Sequence, residues 1–98
     1  MKAQQLFNSR VVISERSFVE IVVWRLPAPL VASPHPFKYR LAFVVDRACV
    51  LRYDNEAGKG DHRHWGAEEL PYTFVSPHQL MADFYADVQR WQHEHSNP

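Results

Sequence analysis

The chain has 98 residues, 46% of them hydrophobic and 22% charged, which suits one globular domain and excludes a disordered or fibrous chain. Eleven Lys and Arg balance eleven Asp and Glu, which excludes a histone-like or polybasic nucleic-acid arm. The apolar run Phe18–Trp24 has Glu20 inside it and falls far short of the roughly 18–20 residues that span a bilayer. From the N-terminus, a single Lys soon meets Gln4, Gln5 and Asn8, so no signal peptide is expected. Cys49 is alone, which precludes an intramolecular disulfide and fits a reducing cytoplasm.

Leu6–Ile13 reads as a first strand, interrupted by Asn8, Ser9 and Arg10. Glu15-Arg16-Ser17 supplies a hairpin turn into Phe18–Arg25, a strand with apolar residues on both faces that belongs near the sheet centre. Pro27, Pro29, Pro34 and Pro36 break any ladder across Leu26–Pro36. Phe37–Asp46 alternates cleanly, with Phe37, Tyr39, Leu41, Phe43 and Val45 on one face. Cys49–Tyr53 returns as a fourth strand with Cys49 as a small core residue and Arg52 exposed beside Arg40. Asp54–Glu69 reads as an irregular polar loop, and Tyr72–Val75 as a short last strand. Ser76 is placed as an N-cap, Pro77 as the first helical residue, Gln79 as the capping-box partner, and Val75 with Leu80 as a hydrophobic staple. Leu80, Phe84, Val88 and Trp91 recur at helical spacing and are expected to bury against Val19, Ile21, Leu41 and Phe43. The expectation is a single α+β domain over residues 1–98: an antiparallel sheet of four or five strands, one C-terminal helix on one face, and a frayed tail at 93–98.

Charge is unevenly placed along this frame. Residues 1–52 carry eight basic groups against three acidic ones, and residues 53–98 carry three against eight, so the halves have net charges of +5 and −5. Such halves can simply pack and neutralise each other, or an Arg-bearing face can meet an anionic partner. All three glycines lie in Asp54–Glu69, with Lys59, Asp61, His62, Arg63 and His64. Gly58 and Gly60 flank Lys59 and would let the backbone approach a phosphate, although the spacing is not that of a P-loop. In an extended stretch His62 and His64 share one side while Asp61 and Arg63 share the other. Two imidazoles on one side can act as general base and general acid near neutral pH, with Arg63 and Lys59 neutralising the charge that develops in phosphodiester cleavage. In RNA the 2′-hydroxyl is an internal nucleophile, so such a site needs neither metal nor cofactor. Asp54 and Asp61, with the two histidines, form the competing zinc or manganese set. The bland alternative pairs the histidines with Glu68 and Glu69 and gives them no chemistry. Tyr53 and Trp65 flank the polar segment as candidates for stacking on a base; Trp24, Phe37, Tyr39, Phe43 and Phe84 stand at core spacing. His35, between two prolines, reads as structural or idle, and His93 and His95 as a solvated tail.

The strings Tyr53-Asp54-Asn55-Glu56, Gly58-Lys59-Gly60-Asp61-His62-Arg63-His64, Pro71-Tyr72-x-Phe74-Val75-Ser76 and Leu80-x-Ala82-Asp83-Phe84-x-Ala86-Asp87-Val88 resemble the TumE-like toxin family. Val22-Val23-Trp24-Arg25-Leu26-Pro27 and Phe37-Lys38-Tyr39-Arg40-Leu41 are similar to its N-terminal half. The resemblance implies the toxin of a type II toxin–antitoxin system, paired with a helix-turn-helix antitoxin. The expected activity is a metal-independent, ribonuclease-like one: His62, His64, Arg63 and Lys59 as catalytic groups, and Arg25, Arg40, Arg52, Tyr53 and Trp65 as substrate contacts. The alternative is a non-enzymatic module that inhibits its target by protein or RNA contact. The expected partners are the antitoxin, RNA and a second copy of the chain, in the cytoplasm and away from a membrane.

Overall fold

The computed structural model describes residues 2–95. Six strands follow one another as an antiparallel meander in the order β1-β2-β3-β4-β5-β6. They are β1 (Gln4–Ser14), β2 (Ser17–Arg25), β3 (Phe37–Val45), β4 (Ala48–Glu56), β5 (Gly60–Trp65) and β6 (Glu68–Pro71), followed by α1 (Pro77–Glu94). The α+β class and the C-terminal helix are as expected, but the sheet has six strands rather than four or five.

The difference lies in the segment read as an irregular loop, which forms β5 and β6. Its period of two is hidden because the positions facing the helix are Asp61 and Arg63 as well as Trp65. The fold satisfies both charges: Asp61 accepts from Tyr39 at 2.6 Å and lies 2.9 Å from His35, and Arg63 donates to Asp87 at 3.2 Å. Tyr72–Val75 is not a strand. It is a crossover tied down by the Tyr72 N–H on the Asp61 carbonyl at 3.2 Å and by Phe74 stacked on His35 at 4.0 Å. His35 is therefore structural: its Nδ1 accepts the Phe37 N–H at 3.2 Å, leaving Nε2 to donate to Asp61, so the proline-rich loop is clasped to β5.

Leu80, Phe84, Val88 and Trp91 bury against Val19, Ile21, Leu41 and Phe43, joined by Val23, Leu51 and Tyr53. Alternation along a strand puts all of these on one face of the sheet, the face that α1 covers. Cys49 departs from that pattern and is exposed. Phe43 pairs with Leu51 but Val44 pairs with Cys49, so an extra residue, Val50, turns Cys49 to the opposite face.

At the start of α1 the Ser76 hydroxyl accepts the Gln79 N–H at 3.0 Å, as an N-cap should. The Gln79 side chain instead runs forward to Asp83 at 2.7 Å, and Val75 stays 71% exposed, so neither the capping box nor the staple forms. The helix continues through His93 and Glu94, and the His95 ring stacks on Trp91 at 3.9 Å; the rest of the expected tail lies outside the described residues. No helix among the described residues is long and apolar enough to cross a membrane.

Candidate active site on the open face of the sheet

The face of the sheet opposite α1 is where the polar chemistry collects. Hairpin register fixes which side chains become neighbours there. Arg40 pairs with Asp54 and Asp54 with His62; one step along, Ala42 pairs with Arg52, Arg52 with His64, and His64 with Glu69. Partners in register share a face, so one row of ionisable groups crosses β3 to β5 and an adjoining one crosses β4 to β6.

Arg52, Asp54, Glu56, Lys59, His62, His64 and Glu69 line one small cavity of about 100 Å³. His62 Nε2 lies 3.5 Å from Glu69 Oε1, and His64 Nε2 lies 3.7 Å from Asp54 Oδ1. Arg52 approaches His64 Nε2 at 3.2 Å. A guanidinium can only donate, so this contact requires the accepting, unprotonated form of that nitrogen. Arg52 Nε is 3.1 Å from Asp54 Oδ2, yet it is buried without an aligned hydrogen bond. Lys59 stands at the rim, 3.5 Å from Glu56 and largely exposed. The face thus offers two imidazoles with different neighbours, a guanidinium that is not fully satisfied, and an exposed ammonium.

Not every residue expected at the site is on this face. Arg63 lies on the helix side, where the Tyr53 hydroxyl and Asp87 hold its guanidinium above the ordinary arginine value. It cannot serve the same phosphate as His62 and His64, since adjacent residues of a strand point to opposite faces. Tyr53 is fully buried, with its hydroxyl donating to Asp87 at 2.7 Å, and is no stacking platform. Trp65 packs against the core on the helix side with Arg90 over its ring at 4.5 Å. Arg25 sits at the end of β2 on that same side, 5.9 Å from the Phe37 ring centroid. Asp54 and Asp61 project from opposite faces and do not form one ligand set, and no cluster of three or more metal-ligating side chains occurs among the described residues.

The backbone cradle suggested by Gly58 and Gly60 is not free either. Gly58 N–H is donated to the Val31 carbonyl at 2.8 Å and Lys59 N–H to the Glu56 carbonyl at 3.1 Å. Gly58 and Gly60 both have φ near +79°, so glycine is needed there to close the β4–β5 hairpin rather than to bind an anion.

One contributor was missed in the sequence. Trp24, assigned to the core by its apolar neighbours, lies half-exposed on the open face. With Val22, Lys38, Arg40, Asp54 and Glu56 it lines a second cavity of about 210 Å³. Asp54 and Glu56 belong to both cavities, which therefore adjoin. The signal was available: Trp24 has the parity of Phe18, Glu20 and Val22, opposite to Val19, Ile21 and Val23. Lys38 and Arg40 are exposed and form no ion pair among the described residues, so the β3 end of the groove is cationic and the β4–β6 end is internally paired.

No curated protein and no solved structure matches the chain. A family model described as Toxin TumE matches residues 2–92, from the first described residue to the last turns of α1, and the chain belongs to that toxin family.

Proposed function

We propose that this toxin acts on RNA by metal-independent acid–base cleavage at His62 and His64. The single observation that supports the reading is the pairing of two imidazoles on one sheet face, each beside a different carboxylate, in one cavity with Arg52 and Lys59. In this mechanism the neutral His64 takes the 2′-hydroxyl proton as that oxygen attacks phosphorus. His62, facing Glu69, delivers a proton to the departing 5′-oxygen, leaving a 2′,3′-cyclic phosphate. Arg52 and Lys59 stabilise the extra negative charge on phosphorus. Arg40 and Lys38 guide the backbone toward the cavity, and Trp24 replaces Tyr53 and Trp65 as the surface on which a base can stack.

The proposal extends to the setting: a type II module in the cytoplasm, with a helix-turn-helix antitoxin whose acidic side chains cover Lys38 and Arg40. The alternative is a binding module that blocks its target without cleaving it. Incubating the purified chain with single-stranded RNA, with and without chelator, separates these readings. Cleavage that persists in chelator and stops in both His62→Ala and His64→Ala supports the acid–base site. Cleavage abolished by chelator transfers the chemistry to a metal, and growth arrest without cleavage favours the binding module.

A further inference from the structure

The most anomalous surface is β1. It is an edge strand of 11 residues, paired on one side with β2 and exposed on both faces for nearly its whole length. Leu6, Phe7, Val11, Val12 and Ile13 are all exposed large hydrophobic residues, with Val12 at 73%. The core under α1 draws on β2, β3 and β4 and takes nothing from β1. Natural edge strands are usually blunted by charge, proline, shortness or bulges. This one has a single charge, Arg10, and bulges at the Gln5–Phe7 and Val12–Ser14 steps, which leave Phe7–Val12 in regular register.

We infer that two copies of this chain join through β1, antiparallel, about a two-fold axis at Ser9. The strand is nearly palindromic in polarity about that residue. Outward from Ser9 it reads Asn8 and Arg10, then Phe7 and Val11, then Leu6 and Val12, then the one mismatched pair Gln5 and Ile13, ending in Gln4 and Ser14. An axis perpendicular to the sheet therefore sets Phe7 against Val11 of the second copy, and Leu6 against Val12. Moving the axis to Phe7 would oppose Leu6 to Asn8, and moving it to Val11 would oppose Arg10 to Val12.

Electrostatics agree with the Ser9 register. Arg10 is the only charge in the strand; Glu20 is its partner in β2 and its guanidinium lies 3.8 Å over the Phe18 ring. Across the seam it meets the Asn8 amide of the second copy, an acceptor, and no like charges face each other. The other sheet edge is a poor competitor. β6 has four residues, two of them acidic, and ends in Pro71, so head-to-tail β1–β6 growth is disfavoured and a closed pair results.

A strand of this length extends about 36 Å in a sheet about 10 Å thick, so the seam buries at most roughly 700 Å² over both copies. That falls in the class of weak, transient interfaces, and the pair should dissociate on dilution.

The test is sedimentation velocity of the full chain over a wide concentration range, with cysteine cross-linking in a Cys49→Ala background. The expected result is a dimer that grows with concentration. Ser9→Cys should cross-link to its own copy on mild oxidation, because residues on the axis face each other, and Phe7→Cys should not. Val11→Lys should give a folded monomer by circular dichroism, and Phe7→Glu combined with Val11→Lys should restore the dimer through two new ion pairs. A chain that stays monomeric throughout overturns the inference. So does a dimer that survives Val11→Lys and fails to cross-link at residue 9, since its interface lies elsewhere. Protection of β1 only when an antitoxin is added overturns it in favour of that protein as the occupant.

Discussion

At the scale of single residues, neighbours on one strand have opposite duties. His62 and His64 face solvent across the open side, while Arg63 between them braces β5 to α1 through Asp87. His62→Ala or His64→Ala should lower RNA cleavage by about 10²–10⁴-fold with an unchanged melting temperature. Arg63→Ala should do the reverse, costing about 1 kcal/mol of stability in denaturant titration while cleavage persists. Three phenols on the helix side give a second prediction. Burial first, and then donation to Asp61, Asp87 and Asp83, raises Tyr39, Tyr53 and Tyr72 above the ordinary phenol value. The folded state therefore holds these protons more tightly than the unfolded chain. Stability is complete below about pH 10 and falls as pH climbs above it. Phenolate absorbance from these residues should rise together with loss of the fold; a rise that precedes unfolding would contradict the network.

At the scale of elements, the β3–β4 hairpin and α1 carry separable energies. Asp46 and Arg47 form the two-residue turn, both with positive φ (49° and 69°), the geometry of a type I′ hairpin. Asp46 is tethered by a bidentate contact from Arg16, which keeps its carboxyl below the usual range. Arg47 has no such compensation among the described residues. Arg47→Gly should therefore stabilise the protein by about 0.5–1 kcal/mol, read as a shift in the denaturation midpoint. On the helix, Phe84 is fully buried and meets Tyr53 edge-on at 5.7 Å. Phe84→Ala should cost about 3–5 kcal/mol, a large part of the 5–15 kcal/mol typical of a small domain. A melting curve like that of the parent chain would mean that α1 does not carry the core.

At the scale of the whole molecule, a meander sheet covered by one helix has one dry face and one wet face. The dry face stabilises the fold, and the wet face is left for function. The cavity that holds His62 and His64 lies on the β4–β5 hairpin and β6 whereas self-association uses β1, so the two are at opposite ends of the sheet. Uncontrolled expression should arrest bacterial growth, and coexpression of the cognate antitoxin should relieve it. In plate assays Val11→Lys should leave the arrest intact, whereas His64→Ala should abolish it. Growth unaffected by abundant folded protein would count against a toxic action by this chain.

The sequence by itself determined β2, β3, the α1 stripe and its Ser76 cap, because the inward residues of each keep an unbroken apolar period in the chain, whereas β1 was legible only as an interrupted apolar run. It also placed His62 and His64 on one side and Arg63 on the other, since strand alternation is a local property. Only the tertiary structure decided that Asp54–Glu69 is a hairpin and β6. There the inward positions are charged, and their partners, His35, Tyr39 and Asp87, lie 22 to 26 residues away in the chain. Likewise the outward turn of Cys49 follows from a bulge, and the burial of Tyr53 from which face α1 covers. Those outcomes depend on the register between strands and on where the helix lies, and neither is written in the local pattern of any one segment.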